Sequence, residues 1–143
     1  MAISFIELMR TQPKGEAVTV PAGGAVVFDT VVSNQGTQIG YGAGVITFNE
    51  AGHYYIDWVV APQGGLTTNG SNWAIVTDIG GLTLIGSSHA KVSVTTGFAI
   101  VDAAAGETAR LVNVSDGPID LSQAVESKAG LVAYGIPAPT VVI

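Results

Sequence analysis

The chain has 143 residues, 11 Asp or Glu against five Lys or Arg, a formal net charge of −6, and no cysteine. The length suits one domain over residues 1–143 with a sizeable core, the acidic balance excludes a phosphate-binding surface and hence a nucleic-acid partner, and the absence of thiols excludes disulfides, thiol redox chemistry and thiolate metal sites. Only 11% of residues are charged and 48% are hydrophobic, against roughly 25% charged in an average soluble domain, so the outside is expected to be built largely of Gly, Ser, Thr and Asn and in part to be covered by another copy of the chain.

Residues 2–9 read as a first strand, followed by a loop at 10–16 that holds Pro13 and Gly15. Residues 17–20 read as a short strand stopped by Pro21 and the Gly23-Gly24 pair, and 26–32 as the next, with Val26, Phe28, Thr30 and Val32 on one side. A Gly-rich polar stretch at 33–44 leaves room for a short strand at 38–41. Residues 45–48 are β-branched and strand-like, and 49–52 form a tight turn with Gly52. The run 53–61 is a long strand with Tyr54, Ile56, Trp58 and Val60 on one face and His53, Tyr55, Asp57, Val59 and Ala61 on the other.

Residues 62–71 read as a loop, where Asn69-Gly70 is a strong turn signal. Strands are expected at 72–79 and 82–85, joined by Gly80-Gly81, with a loop at 86–89. Residues 92–103 alternate, placing Val92, Val94, Thr96, Phe98 and Ile100 on a common face. A strand at 108–114, the Asp116-Gly117-Pro118 turn, an ambiguous segment at 121–127 and a last strand at 130–136 follow, and Pro137 and Pro139 end the pattern. About ten short strands and no helical period argue for an all-β sandwich or jelly roll. No run of about 18 apolar residues predicts a membrane-crossing helix, and residues 1–9 lack the basic n-region of a signal peptide.

The segment Val27-Phe28-Asp29-Thr30-Val31, then Gly36-Thr37, then Ile46-Thr47-Phe48-Asn49-Glu50-Ala51-Gly52-His53-Tyr54-Tyr55-Ile56 resembles the globular heads of collagen-like spore-surface (exosporium) glycoproteins of the BclA kind. Those heads are similar in turn to TNF-like and C1q-like trimeric jelly rolls. The resemblance implies two antiparallel sheets of about ten strands and a homotrimer. It also implies a structural, non-enzymatic head that nucleates a collagen-like stalk and mediates adhesion at an extracellular spore surface. The stalk itself is expected outside these residues, which hold no Gly-X-Y run.

Alternation assigns residues to faces without saying which face is inward. The expected core is Phe28, Phe48, Tyr54, Ile56, Trp58 and Phe98, and the expected trimer interface is Tyr55, Val59, Val101, Val112 and Tyr134. Trp73 and Tyr41 are candidates for stacking on a sugar, which would suit a lectin-like or phage-fibre receptor-binding tip with a glycan or protein partner. Ser87, Ser88 and His89 with Asp78 or Asp102 lack the spacing of a catalytic triad. His53 and His89 stand far apart for a metal site unless a three-fold axis multiplies one of them. Asp116 and Asp120 read as turn residues rather than calcium ligands, although C1q-like heads can hold calcium near the trimer axis. Asn69-Gly70-Ser71 and Asn113-Val114-Ser115 match the N-glycosylation pattern. No cofactor is expected.

Overall fold

The computed structural model describes residues 4–136, with the backbone alone described for 81–85. The expected strand start at residue 2 and the stops at Pro137 and Pro139 lie outside the described residues. The strands in chain order are β1 (Phe5–Arg10), β2 (Val18–Val20), β3 (Thr30–Gln35), β4 (Ile39–Gly42), β5 (Val45–Phe48), β6 (Gly52–Val60), β7 (Pro62–Gly65), β8 (Ser71–Thr77), β9 (Gly81–Ser88), β10 (Thr95–Ala103), β11 (Thr108–Asn113), β12 (Ile119–Leu121) and β13 (Ala129–Ile136). They form a five-stranded sheet ordered β10-β6-β13-β1-β3, a second ordered β4-β5-β11-β8-β9, and a three-stranded ribbon β2-β12-β7. Every pairing is antiparallel.

The two large sheets face each other because each strand carries an apolar set at period two. Tyr54, Ile56, Trp58 and Val60 of β6 point inward with Ile6 and Leu8 of β1 and Leu131 of β13. They meet Ile39, Ile46, Phe48, Trp73, Ile75 and Leu111 of the second sheet. Burying each of these large side chains contributes on the order of 1.5–3 kcal/mol. Phe48 and Tyr54 pack with ring centroids 4.4 Å apart, and the Tyr54 hydroxyl donates to the Glu50 carbonyl at 2.6 Å, anchoring the β5–β6 turn.

Trp58 decides the packing of β10. Gly97 is its register partner, and a Cβ on Gly97 would lie 2.2 Å from the indole Cζ2. The ring therefore occupies the space under β10, and only small or slim residues, Thr95, Ala99, Val101 and Ala103, point inward along that strand. Alternation then forces Phe98 outward, where it is 52% exposed. This corrects the placement of Phe98 in the core.

The expected strand at 26–32 is broken. Ala25 makes one bridge to Val112, Val26 N–H bonds the Leu111 carbonyl at 2.9 Å, and Asp29 N–H bonds the Met9 carbonyl at 3.1 Å. The segment thus crosses from the second sheet to the first, and regular pairing resumes at Thr30. The Tyr41 hydroxyl accepts from Phe28 N–H at 2.7 Å and Gly44 N–H at 3.1 Å and donates to the Phe28 carbonyl at 2.9 Å, fastening this crossing. Segments read as loop, 62–65 and 86–88, and the unassigned stretch 119–121 are paired as strands because partners distant in sequence supply their hydrogen bonds.

The register sorts the connections to two ends. Phe5 pairs Gln35 and Tyr134, and Gly52 pairs Ala103, so the start of β1, the end of β13 and the β5–β6 and β10–β11 turns share one end. The β7–β8, β9–β10 and β11–β12 connections form the opposite tip. There Asp116 accepts hydrogen bonds from the Thr68 backbone and hydroxyl, and Gly23 N–H bonds the Asn113 carbonyl at 2.8 Å.

Candidate functional site

The second face of the first sheet is turned away from the core, and it is mostly apolar, with Glu7, Asp57, His53 and Asp102 set among its aromatic and aliphatic side chains. The registers set its residues in rows across the strands. One row runs Ile100, Tyr55, Tyr134, Phe5 from β10 through β6 and β13 to β1, and the next runs Phe98, Asp57, Val132, Glu7. A third runs Thr96, Val59, Gly130, Met9. Ile100 is 61% and Tyr134 37% exposed, and Val59, Val132 and Ile136 are similarly open. Tyr55 stacks on Phe98 with centroids 6.2 Å apart and leans on Tyr134 at 5.1 Å. Partial burial first, then the Asp57 carboxylate and Tyr134, hold the Tyr55 phenol above its ordinary range, so this ring stays neutral near pH 7.

Between these rows, Gly130 leaves a shallow depression walled by Glu7, Met9, Asp57, Val59, Thr96 and Val132. At the end of the sheet nearest the β5–β6 turn, His53 Nδ1 lies 3.7 Å from Asp102. A contiguous aromatic and aliphatic face of this kind is what a protein–protein contact buries. Its aromatics are the residue types that anchor such contacts.

The expected interface residues divide between the two sides of the sheets. Tyr55, Val59 and Tyr134 lie on this outward face. Val101 is 4% exposed and points into the core, because it shares the phase of Ala99 and Ala103. Val112, 6% exposed, lies on the second sheet beside the Ala25 bridge and is covered by its own chain. Both are therefore removed from the interface set. Phe28, Phe48, Tyr54, Ile56 and Trp58 are all buried.

The sugar-stacking pair is corrected as well. Trp73 is fully buried, in phase with Ile75, and its indole N–H donates to Ser71 Oγ at 2.8 Å. Tyr41 is half-buried, and its hydroxyl is committed to the crossing segment. Burial raises its phenol against the opposing pull of the Phe28 and Gly44 hydrogen bonds. Alternation already paired Trp73 with Ile75, and that signal was available in the sequence. The outward residues that the expected interface set left out, Phe98, Ile100, Val132 and Phe5, had a subtler signal: every inward neighbour of Phe98 and Ile100 on β10 is small or slim.

The remaining sequence candidates do not converge. His89 is at the tip, whereas Asp78 accepts from Thr108 N–H at 2.8 Å at the other end and Asp102 faces His53. Asp120 accepts from the Thr19 hydroxyl at 2.6 Å, while Asp116 holds Thr68. Among the described residues no three His, Asp or Glu side chains gather as a metal site. Asn113 is buried and donates to the Val20 and Gly117 carbonyls at 3.0 and 3.1 Å, so it is a structural residue of the folded chain, whereas Asn69 is exposed.

The two-sheet arrangement defines the fold as a TNF-like or C1q-like jelly roll. The Eiger TNF of S. frugiperda superposes with a TM-score of 0.70 at 14% identity, covering 100% of both chains. The globular domain of zebrafish complement 1qA gives 0.62 at 14% identity, covering 93% of this chain and 95% of that one. The vertex protein P5 of PRD1 gives 0.61 at 16% identity, covering 94% and 97%. No family model matches the sequence, and no curated protein matches it.

Proposed function

We propose that the chain is the homotrimeric head of an extracellular, collagen-like surface glycoprotein of the BclA kind, with the outward face of β10-β6-β13-β1 as its subunit contact. The observation that carries this is the row Ile100, Tyr55, Tyr134, Phe5, a large apolar surface on a chain of which 11% is charged. Two identical neighbours would cover it, and closed three-fold symmetry would prevent runaway pairing. The role is structural rather than catalytic.

Both ends of the described chain emerge together, opposite the tip loops. A stalk attached there would have its strands held at high effective concentration, lowering the entropic cost of starting a triple helix. The tip, with exposed Leu66 and Val92, then faces outward for adhesion at a spore surface. Sedimentation equilibrium tests the reading. A trimer at micromolar concentration supports it, and a monomer there overturns it. Fusion to a Gly-X-Y segment should then raise the rate of triple-helix formation, read by circular dichroism.

A second reading, a trimeric receptor-binding tip of a virus, draws on the similarity to PRD1 vertex protein P5. Binding of the purified protein to bacterial cells, rather than to spores, would favour it.

A further inference from the structure

The second row of the outward face interrupts its apolar character. Asp57 stands between Phe98 and Val132, and Glu7 stands on the other side of Val132. Strand spacing puts the two backbones about 10 Å apart, and both side chains wall the depression over Gly130. Among the described residues, the neighbouring elements bring them no free lysine or arginine. β10 contributes Phe98, Thr96 and, further along, Asp102; β13 contributes Val132 and Tyr134; β3 contributes Ser33. On the outward face of β6 the other titratable groups are His53 and Tyr55, Tyr54 pointing into the core. Arg10, at the end of β1, is committed to the Val27 carbonyl at 2.8 Å, the Gln12 carbonyl at 2.6 Å and Asp29 at 3.6 Å. Lys128 is fully buried, with Nζ donating to the Glu16 and Ser122 carbonyls at 2.8 and 2.6 Å.

We infer that Glu7 and Asp57 form a charge gate on assembly, so that association through this face tightens as acid neutralises them. This rests on the trimer proposed above. Closing three copies on this face takes two carboxylates per copy out of water, which opposes contact while the groups are ionised. Association is then coupled to proton uptake. The aromatic row drives contact, and the acidic row sets the conditions under which it holds. Such a face would assemble readily in acid and exchange subunits at higher pH.

The test compares wild type with the double variant Glu7→Gln, Asp57→Asn and with Glu7→Gln alone. Each is measured at about pH 8, where carboxylates are ionised even if raised by a couple of units, and at about pH 5, roughly a unit above the ordinary range, where a carboxylate raised by burial in the contact takes up a proton. Dissociation constants come from sedimentation equilibrium. Where the trimer is too tight to dissociate by dilution, the concentration-dependent urea midpoint replaces them. Asp29, Glu107 and Asp116, held below the ordinary carboxylate range, stay ionised over this window and stabilise every variant alike, so the readout is the difference between wild type and variant.

At about pH 8 the double variant should associate about tenfold or more tightly than wild type, the gap should close toward about pH 5, and the single variant should fall between. Wild type and double variant trimerising in parallel at both pH values would overturn the gate and leave the trimer standing. Monomers of both proteins at both pH values would overturn the trimer and the gate with it.

Discussion

At the scale of single residues, two positions carry unusual weight. Gly97 exists as glycine because Trp58 fills the space where its Cβ would be. Gly97→Ala should destabilise the fold by about 1–3 kcal/mol, the range for forcing a methyl into a packed core, read as a lower urea midpoint with an unchanged slope. Asp29 is the second. Partial burial alone would raise its carboxyl. Hydrogen bonds from the Thr30 hydroxyl, the Gln12 and Thr11 backbone N–H groups and the Thr11 hydroxyl outweigh that effect and lower it from 3.8 to about 2. A depressed value means the folded state prefers the charged form. Asp29 therefore stabilises above about pH 4, and that stability is lost as pH falls toward about 2. The difference in urea midpoint between wild type and Asp29→Asn should shrink over that window. A difference that stays constant with pH would show that the carboxylate charge is not what the site uses.

At the scale of elements, the crossing segment between the two sheets depends on one hydroxyl. Tyr41 on β4 satisfies both backbone groups of Phe28 and the N–H of Gly44, and its ring meets Phe28 edge-on at 6.1 Å. Tyr41→Phe keeps the ring and strands three backbone groups, so it should cost about 1–3 kcal/mol, measured by equilibrium unfolding. A loss below about 0.5 kcal/mol would mean that solvent replaces those bonds without penalty. Glu107 plays a comparable part where the β8–β9 and β10–β11 turns meet. Its buried carboxylate accepts from Ala104 N–H at 3.0 Å and Gly80 N–H at 3.3 Å. The bond from Ala104 first, then the Thr77 hydroxyl and the Gly80 N–H, hold it below the ordinary carboxylate range against the opposing effect of burial.

At the scale of the whole molecule, the two faces of one sheet do different work. The inward face of β6 builds the core and its outward face offers Tyr55 at the centre of an aromatic trio. Ile100 stands next to Tyr55, away from the inward packing, which makes it the cleanest probe of assembly. Ile100→Asp should leave far-UV circular dichroism and the monomer fold intact while weakening association about thirtyfold or more, in keeping with roughly 2 kcal/mol or more for an apolar anchor. Sedimentation of the variant as a trimer at micromolar concentration would place the contact elsewhere.

The sequence by itself determined the all-β class and most strand positions, because period-two alternation and Gly, Pro and Asn turns are local properties. It also offered Tyr54, Ile56 and Trp58 of β6 as core residues because they share a phase, but which side of the sheet faces inward was left to the packing. Its sparse charge already called for a covered surface. Only the tertiary structure decided which face of β10 is inward, since alternation is blind to sign and the choice was made by an indole from the neighbouring strand. The same holds for 26–29 and 62–65, whose hydrogen-bond partners lie far off in sequence. It holds for Tyr41 as well, whose hydroxyl is spent inside the fold on groups that proximity in space, and not in the chain, brings within reach.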